Sequence, residues 1–134
     1  MAKLTDIRGI DDAIADKLRG AGATTSEKLL ELGAAPAGRR QLAGDAGVDA
    51  KDLLEWVNRA DLARVNGVAG VYADLLENAG VDTVKELRTR RPDNLFQAIS
   101  DINAAQSLTK RLPTQADVES WVAQAKQLGG VVTY

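Results

Sequence analysis

The stretch 4–29, LTDIRGIDDAIADKLRGAGATTSEKL, returns 58 residues later as the stretch 62–87, LARVNGVAGVYADLLENAGVDTVKEL. Nine of the 26 aligned positions are identical, and the alignment needs no gap. The identical pairs include Gly9 with Gly67 and Leu18 with Leu76. A unit that recurs at a fixed offset predicts two structurally equivalent repeats, here related by pseudo-two-fold symmetry.

Each repeat begins with an apolar-x-Gly-apolar motif, followed by a short amphipathic helix that an Ala-Gly pair closes. The two motifs are Ile7-Arg8-Gly9-Ile10 and Val65-Asn66-Gly67-Val68. Glycine permits the chain to reverse between helices at a backbone angle that other residues avoid. The N–H groups at the start of the following helix then point outward, where they can hold a phosphate without reading bases. A plain tight turn between two helices is the alternative interpretation.

Composition excludes several classes of site. The 134 residues suffice for one domain with a core, and 45% of them are hydrophobic. The absence of cysteine excludes disulfides and thiolate metal sites, and the absence of histidine removes the commonest general base and metal ligand. We therefore expect no enzyme, no cofactor and no metal. No apolar run reaches membrane-spanning length, so we expect a cytoplasmic protein without membrane contact.

Charge argues against a dedicated nucleic-acid binder, which usually shows a basic excess. Residues 1–61 carry nine Lys/Arg and eleven Asp/Glu, and residues 62–134 carry eight of each, giving −2 and 0 and the total of −2. Local basic clusters remain at Arg39-Arg40, along 85–91 and at Lys110-Arg111. Solvated helix faces and charges that complement helix C-termini explain each cluster taken alone.

Helix ends are marked in the sequence. Three Ala-Gly pairs predict left-handed glycines that terminate helices, at Gly22, Gly47 and Gly80. Two capping boxes are predicted just beyond, Thr24 with Glu27 and Thr83 with Glu86.

Apolar residues at helical spacing predict three core stripes. They are Leu53, Val57 and Ala60; Leu95, Ile99 and Ile102; and Val118, Trp121, Val122, Ala125 and Leu128. Trp56 and Trp121 occupy equivalent positions, which favours core anchors over binding aromatics. The β-prone residues 131–134 are interpreted as a flexible end; docking in a groove or on a partner's sheet edge is the alternative.

The segments 7–22 and 65–80 resemble helix-hairpin-helix motifs. The wider chain resembles a bacterial family of tandem helix-hairpin-helix proteins that is catalogued as a domain of unknown function. The most specific stretches are LLENAGVDTVKEL at 75–87, LEWVN at 54–58 and the terminal Trp121-Val122 with Ala125-Lys126. The expected fold is an all-α single domain, 1–134, in which two repeats (about 4–61 and 62–128) pack with pseudo-two-fold symmetry before a short C-terminal tail, 129–134.

This resemblance implies sequence-independent contact with DNA phosphates through Gly-apolar-Gly hairpins. Both hairpins depart from that pattern, because Asp11 and Ala69 replace the second glycine. Asp11 and Asp12 would repel a phosphate, so the second hairpin is the better candidate. The candidate nucleic-acid-binding residues are Arg64, Asn66, Gly67, Val68, Ala69 and Gly70, with lesser parts for Arg8, Gly9 and Ile10. The prediction is a non-catalytic module that binds duplex DNA weakly; the alternative is a protein–protein adaptor that keeps the fold without DNA binding.

Overall fold

The computed structural model describes residues 3–68 and 70–134. These residues form a 3-10 helix, Leu4–Asp6, and the following α-helices: α1 (Asp12–Gly20), α2 (Ser26–Gly33), α3 (Pro36–Ala46), α4 (Ala50–Leu62), α5 (Val71–Asn78), α6 (Val84–Leu87), α7 (Pro92–Gln106) and α8 (Gln115–Leu128). No strand occurs in the described part, so the expected all-α class is confirmed. None of the helices in these ranges has the length and apolarity needed to cross a membrane.

The chain forms two compact units, and the boundary between them falls inside α4, after Asp61. Unit 1 contains the residues up to Asp61 together with Val131–Tyr134. Unit 2 contains Leu62–Gly130. The chain thus leaves unit 1, builds unit 2 and returns to unit 1 for its last four residues.

Unit 1 has a core of aliphatic side chains around one tryptophan. Leu18, Leu29 and Leu53 are completely buried, and Trp56 lies among them at 6% exposure. The expected role of Trp56 as a core anchor is confirmed.

Unit 2 has its own core of the same kind. Leu76, Leu87 and Ile99 are completely buried, and Trp121 is 3% exposed, which confirms its predicted role. The ring of Tyr72 packs against Trp121, with centroids 5.7 Å apart and planes tilted by 47°. Leu128 was predicted to continue the apolar stripe of α8, but it is 41% exposed because α8 ends there.

The predicted helix ends are largely confirmed. Gly22, Gly47 and Gly80 have φ angles of 100°, 69° and 88°, the left-handed conformation that stops a helix. Thr83 caps α6 by accepting a hydrogen bond from the N–H of Glu86 at 3.2 Å, which confirms the hydroxyl half of the predicted capping box. The carboxylate of Glu86 instead contacts Arg90 at 2.9 Å.

The predicted capping box of Thr24 with Glu27 is wrong. The N-cap of α2 is Thr25, whose hydroxyl accepts from the N–H of Lys28 at 3.1 Å. The helix therefore begins one residue later than the Thr-x-x-Glu spacing indicates.

The last residues are not loose, contrary to the favoured prediction. Val132 is 2% exposed and belongs to the core of unit 1. The N–H of Thr133 donates to the carbonyl of Ala34 at 2.8 Å. A buried side chain and a backbone hydrogen bond hold this segment in place.

Candidate nucleic-acid interface

The first hairpin is a tight turn anchored by two buried isoleucines. The N–H of Ile10 donates to the carbonyl of Ile7 at 3.1 Å, and the two side chains are 4% and 5% exposed. Gly9, between them, has φ of 95°. Arg8 is exposed beside the turn. The side chain of Ile10 is therefore part of the core, and only its backbone could meet a ligand.

The start of α1, which follows this turn, is unfavourable for anion binding because it carries two carboxylates. Asp11 is the N-cap, and its Oδ1 accepts from the N–H of Ile14 at 2.9 Å. Asp12 adds a second carboxylate in the first turn. The carboxylate of Asp11 occupies a backbone N–H donor of the first turn, and the negative charges of Asp11 and Asp12 would repel a phosphate.

The second hairpin repeats the geometry of the first. The N–H of Val68 donates to the carbonyl of Val65 at 3.1 Å, and both side chains are buried. Gly67 has φ of 93°. Val68, like Ile10, can offer only its backbone to a ligand. Ala69, the next candidate residue, lies outside the described residues.

The start of α5, after this second turn, differs from that of α1. Its N-cap is Gly70, with φ of 54°, and in the part of the chain that the structure describes no side chain caps it. Val71 and Tyr72, the first helical residues, are partly exposed. Asp74 lies in the same first turn, but its side chain is buried. Backbone donors therefore face outward here without the carboxylate that covers those of α1.

Asn66 is held by a residue that sequence reasoning did not identify. Its N–H donates to Oε1 of Gln124 at 2.8 Å, and Nε2 of Gln124 donates back to the carbonyl of Asn66 at 3.3 Å. This side-chain clamp fixes the turn and occupies one backbone donor that the hairpin would otherwise offer. The two residues lie 58 positions apart, so no local pattern could reveal the contact.

Arg64 also has a structural contact. Its Nη2 donates to the carbonyls of Leu128 and Gly129, at 3.2 and 3.0 Å. These carbonyls end α8, where a cation is favoured by the helix dipole. The guanidinium thus ties the second hairpin to the end of α8 within unit 2.

A basic pair lies closer to the second hairpin than the sequence suggests. The hydroxyl of Tyr72 donates to the backbone carbonyl of Arg111 at 2.9 Å. Tyr72 is the second residue of α5, so this bond brings the loop that carries Lys110 and Arg111 to the first turn of that helix. Both basic side chains are exposed.

Three arginines of the other predicted basic clusters, Arg39, Arg90 and Arg91, contact neighbouring groups. Arg39, part of one predicted basic cluster, is 7% exposed and is not a surface charge. In unit 2, Arg90 contacts Glu86 at 2.9 Å and Arg91 contacts Asp93 at 3.4 Å. These two arginines line a shallow cleft of about 260 Å³ together with Thr89, Asn94, Leu95 and Ala98. Their paired carboxylates reduce the attraction of this cleft for an anion.

Comparison with known proteins gives a family and no function. Residues 8–128 match the family model described as Domain of unknown function (DUF4332), which confirms that the chain belongs to a domain-of-unknown-function family. No curated protein and no solved structure matches the chain.

Proposed function

Because the chain belongs to the family Domain of unknown function (DUF4332), we propose its function from the geometry of its hairpins. Unit 2 is a non-catalytic module that binds the backbone of duplex DNA weakly and without sequence preference. The contact is made by the second hairpin, Gly67 to Gly70, and the first turn of α5. In this proposal the two hairpins derive from duplicated helix-hairpin-helix repeats, and only the second retains a phosphate contact.

One observation carries the proposal: two turns of the same geometry lead into helices whose starts differ. Asp11 closes the start of α1 with its carboxylate. Gly70 begins α5 without a side-chain cap in the described residues. An exposed helix start with free N–H groups and a positive dipole end is a common phosphate site.

The loop at Lys110 and Arg111 supports the same surface. The hydrogen bond from Tyr72 brings the backbone of this loop to the first turn of α5, and both of its cationic side chains are exposed. Because unit 2 carries no net charge, binding depends on this local arrangement. We expect few phosphate contacts and therefore modest affinity.

The alternative proposal is a protein–protein adaptor that has lost the phosphate contact. The closed start of α1 favours it, because helix-hairpin-helix proteins commonly engage DNA with two hairpins. The contacts that already engage the Arg64 side chain and the backbone of Asn66 favour it as well.

A fluorescence-anisotropy titration of a short random duplex, at low and at physiological salt, separates the two proposals. If the protein contacts phosphates, it should bind the duplex at low salt. The affinity should then fall steeply as salt is added, because added salt reduces the free-energy gain from counterion release. Absence of binding at low salt would reject the DNA proposal and favour the adaptor.

A further inference from the structure

The segment Val131–Tyr134 packs in unit 1 against the end of α2 and against residues of α3 and α4. Val132 supplies the buried anchor, at 2% exposure, within the unit 1 core. The residues on either side stay at the surface, with Val131 at 43% and Tyr134 at 71% exposure. One side chain is thus inserted, and the rest of the segment lies across the surface.

The backbone of Thr133 is bound on both sides. Its N–H donates to the carbonyl of Ala34 at 2.8 Å. Its carbonyl accepts from Nη2 of Arg39 at 2.6 Å. Backbone contacts of this kind hold any extended peptide, while a pocket for the preceding side chain supplies selectivity.

Arg39 is held in position by unit 1 itself. Its Nη1 donates to the carbonyls of Gly33 and Ala34, at 3.0 and 2.9 Å, and its side chain is buried. The group that binds Thr133 is therefore fixed by α2 and does not need the segment to orient it. Preorganisation of this type lowers the entropic cost of binding.

Tyr134 adds a second, weaker point of selectivity. Its hydroxyl donates to Oδ1 of Asn58 at 3.1 Å. The guanidinium carbon of Arg39 lies 5.6 Å from the centre of the tyrosine ring, within cation–π range. The three residues are thus held by different contacts: an apolar core around Val132, backbone hydrogen bonds at Thr133 and a hydroxyl hydrogen bond at Tyr134.

We propose that unit 1 carries a binding site for an extended peptide of the pattern Val-Thr-Tyr, and that the chain's own Val131–Tyr134 segment is its resident occupant. The segment reaches the site only after unit 2, through Gly129 and Gly130. Its hold on unit 1 consists of one buried valine and contacts that another peptide can supply. A peptide of the same pattern therefore competes with the segment for the site. This inference concerns unit 1 and does not rest on the DNA proposal for unit 2.

The test uses the full chain with the resident segment weakened. Val132→Asp places a carboxylate where the buried valine lies, and Thr133→Pro removes the N–H that Ala34 accepts. The probe is a fluorescent peptide of sequence Gly-Gly-Val-Val-Thr-Tyr, followed by anisotropy. A tethered competitor has an effective concentration in the millimolar range, so we expect the unaltered chain to bind the probe at least about tenfold more weakly than either opened variant.

The specificity of binding is tested by changing the probe peptide and, separately, by changing the protein. A probe in which aspartate replaces the second valine should not bind the opened variants. Asn58→Ala in the Val132→Asp background should weaken the tyrosine probe and leave a probe ending in phenylalanine unchanged.

Two results would overturn the proposal. The first is an opened variant with unaltered helical circular dichroism that does not take up the probe, or takes it up no better than the unaltered chain does. The second is loss of the helical signal in both opened variants, because the segment would then be an indispensable part of the core.

Discussion

Gly67 lies directly against Trp121: a Cβ atom attached to this glycine would stand 3.0 Å from the indole Nε1. In unit 1, Gly9 has the same relationship to Trp56, at 2.9 Å. Both glycines also adopt φ angles above 90°, which other residues rarely do. Core packing and turn geometry therefore each require glycine in these hairpins, whether or not a ligand binds.

Gly67→Ala is expected to lower the free energy of unfolding by roughly 1 to 3 kcal/mol, because it adds a strained φ and crowds Trp121. Urea denaturation measures the change. Gly44→Ala is the matched control: Gly44 lies inside α3, and among the described residues no atom of another part of the chain would lie within 4 Å of its added Cβ. This control should be stabilised by about 0.5 to 1 kcal/mol. Equal effects of the two substitutions would contradict the packing argument.

Thr25→Ala should destabilise the protein by about 1 kcal/mol, since it removes the hydroxyl that caps α2. Thr24→Ala, one residue earlier at an exposed position, should change stability by no more than about 0.5 kcal/mol. Thermal or urea unfolding compares the pair directly. A larger loss at Thr24 would place the cap where the Thr-x-x-Glu spacing predicted it.

Val71→Asp tests the DNA proposal without disturbing the turn. The new carboxylate at the first position of α5 complements the helix dipole but repels a phosphate, so we expect helix content to be kept. Affinity for duplex DNA at low salt should fall roughly tenfold, or about 1.4 kcal/mol. Gly67 and Arg64 are poorer choices because both have structural contacts.

Gln115→Asp is the control for that experiment. It adds the same charge at the first position of α8, whose start Thr114 already caps. Duplex affinity should stay within about twofold of the unaltered chain if binding is local to the second hairpin, since only screened long-range repulsion then acts. Equal losses in the two variants would mean that net charge, and not the hairpin, determines binding.

Arg39→Ala should lower the stability of unit 1 by about 2 kcal/mol or more, because it removes the donor to the buried carbonyl of Gly33 and one donor each to the carbonyls of Ala34 and Thr133. Arg40→Ala removes the neighbouring, exposed arginine and should have an effect below about 0.5 kcal/mol. Chemical denaturation of both variants decides this. Similar values would show that Arg39 is a surface charge, as its sequence context predicted.

Local sequence patterns predicted the helices well, because helix formation and helix ends depend mainly on residues that are close in sequence. The Ala-Gly pairs located helix ends, since a left-handed glycine stops a helix whatever surrounds it. The equivalent positions of Trp56 and Trp121 in the two repeats identified both as core residues. The Thr-x-x-Glu spacing at Thr24 does not mark the cap, whereas the repeat aligns Thr25 with Thr83, the two residues that cap helices.

The sequence by itself determined the all-α class, the family and the glycine turns, because these follow from periodicity and backbone preference. Only the tertiary structure decided which side chains and backbone groups are available to a ligand. Arg64, Asn66 and Arg39 have partners 65, 58 and 94 residues away. The burial of Val132 likewise depends on a surface built more than 70 residues earlier. Contacts of such separation are set by packing, and no local pattern encodes them.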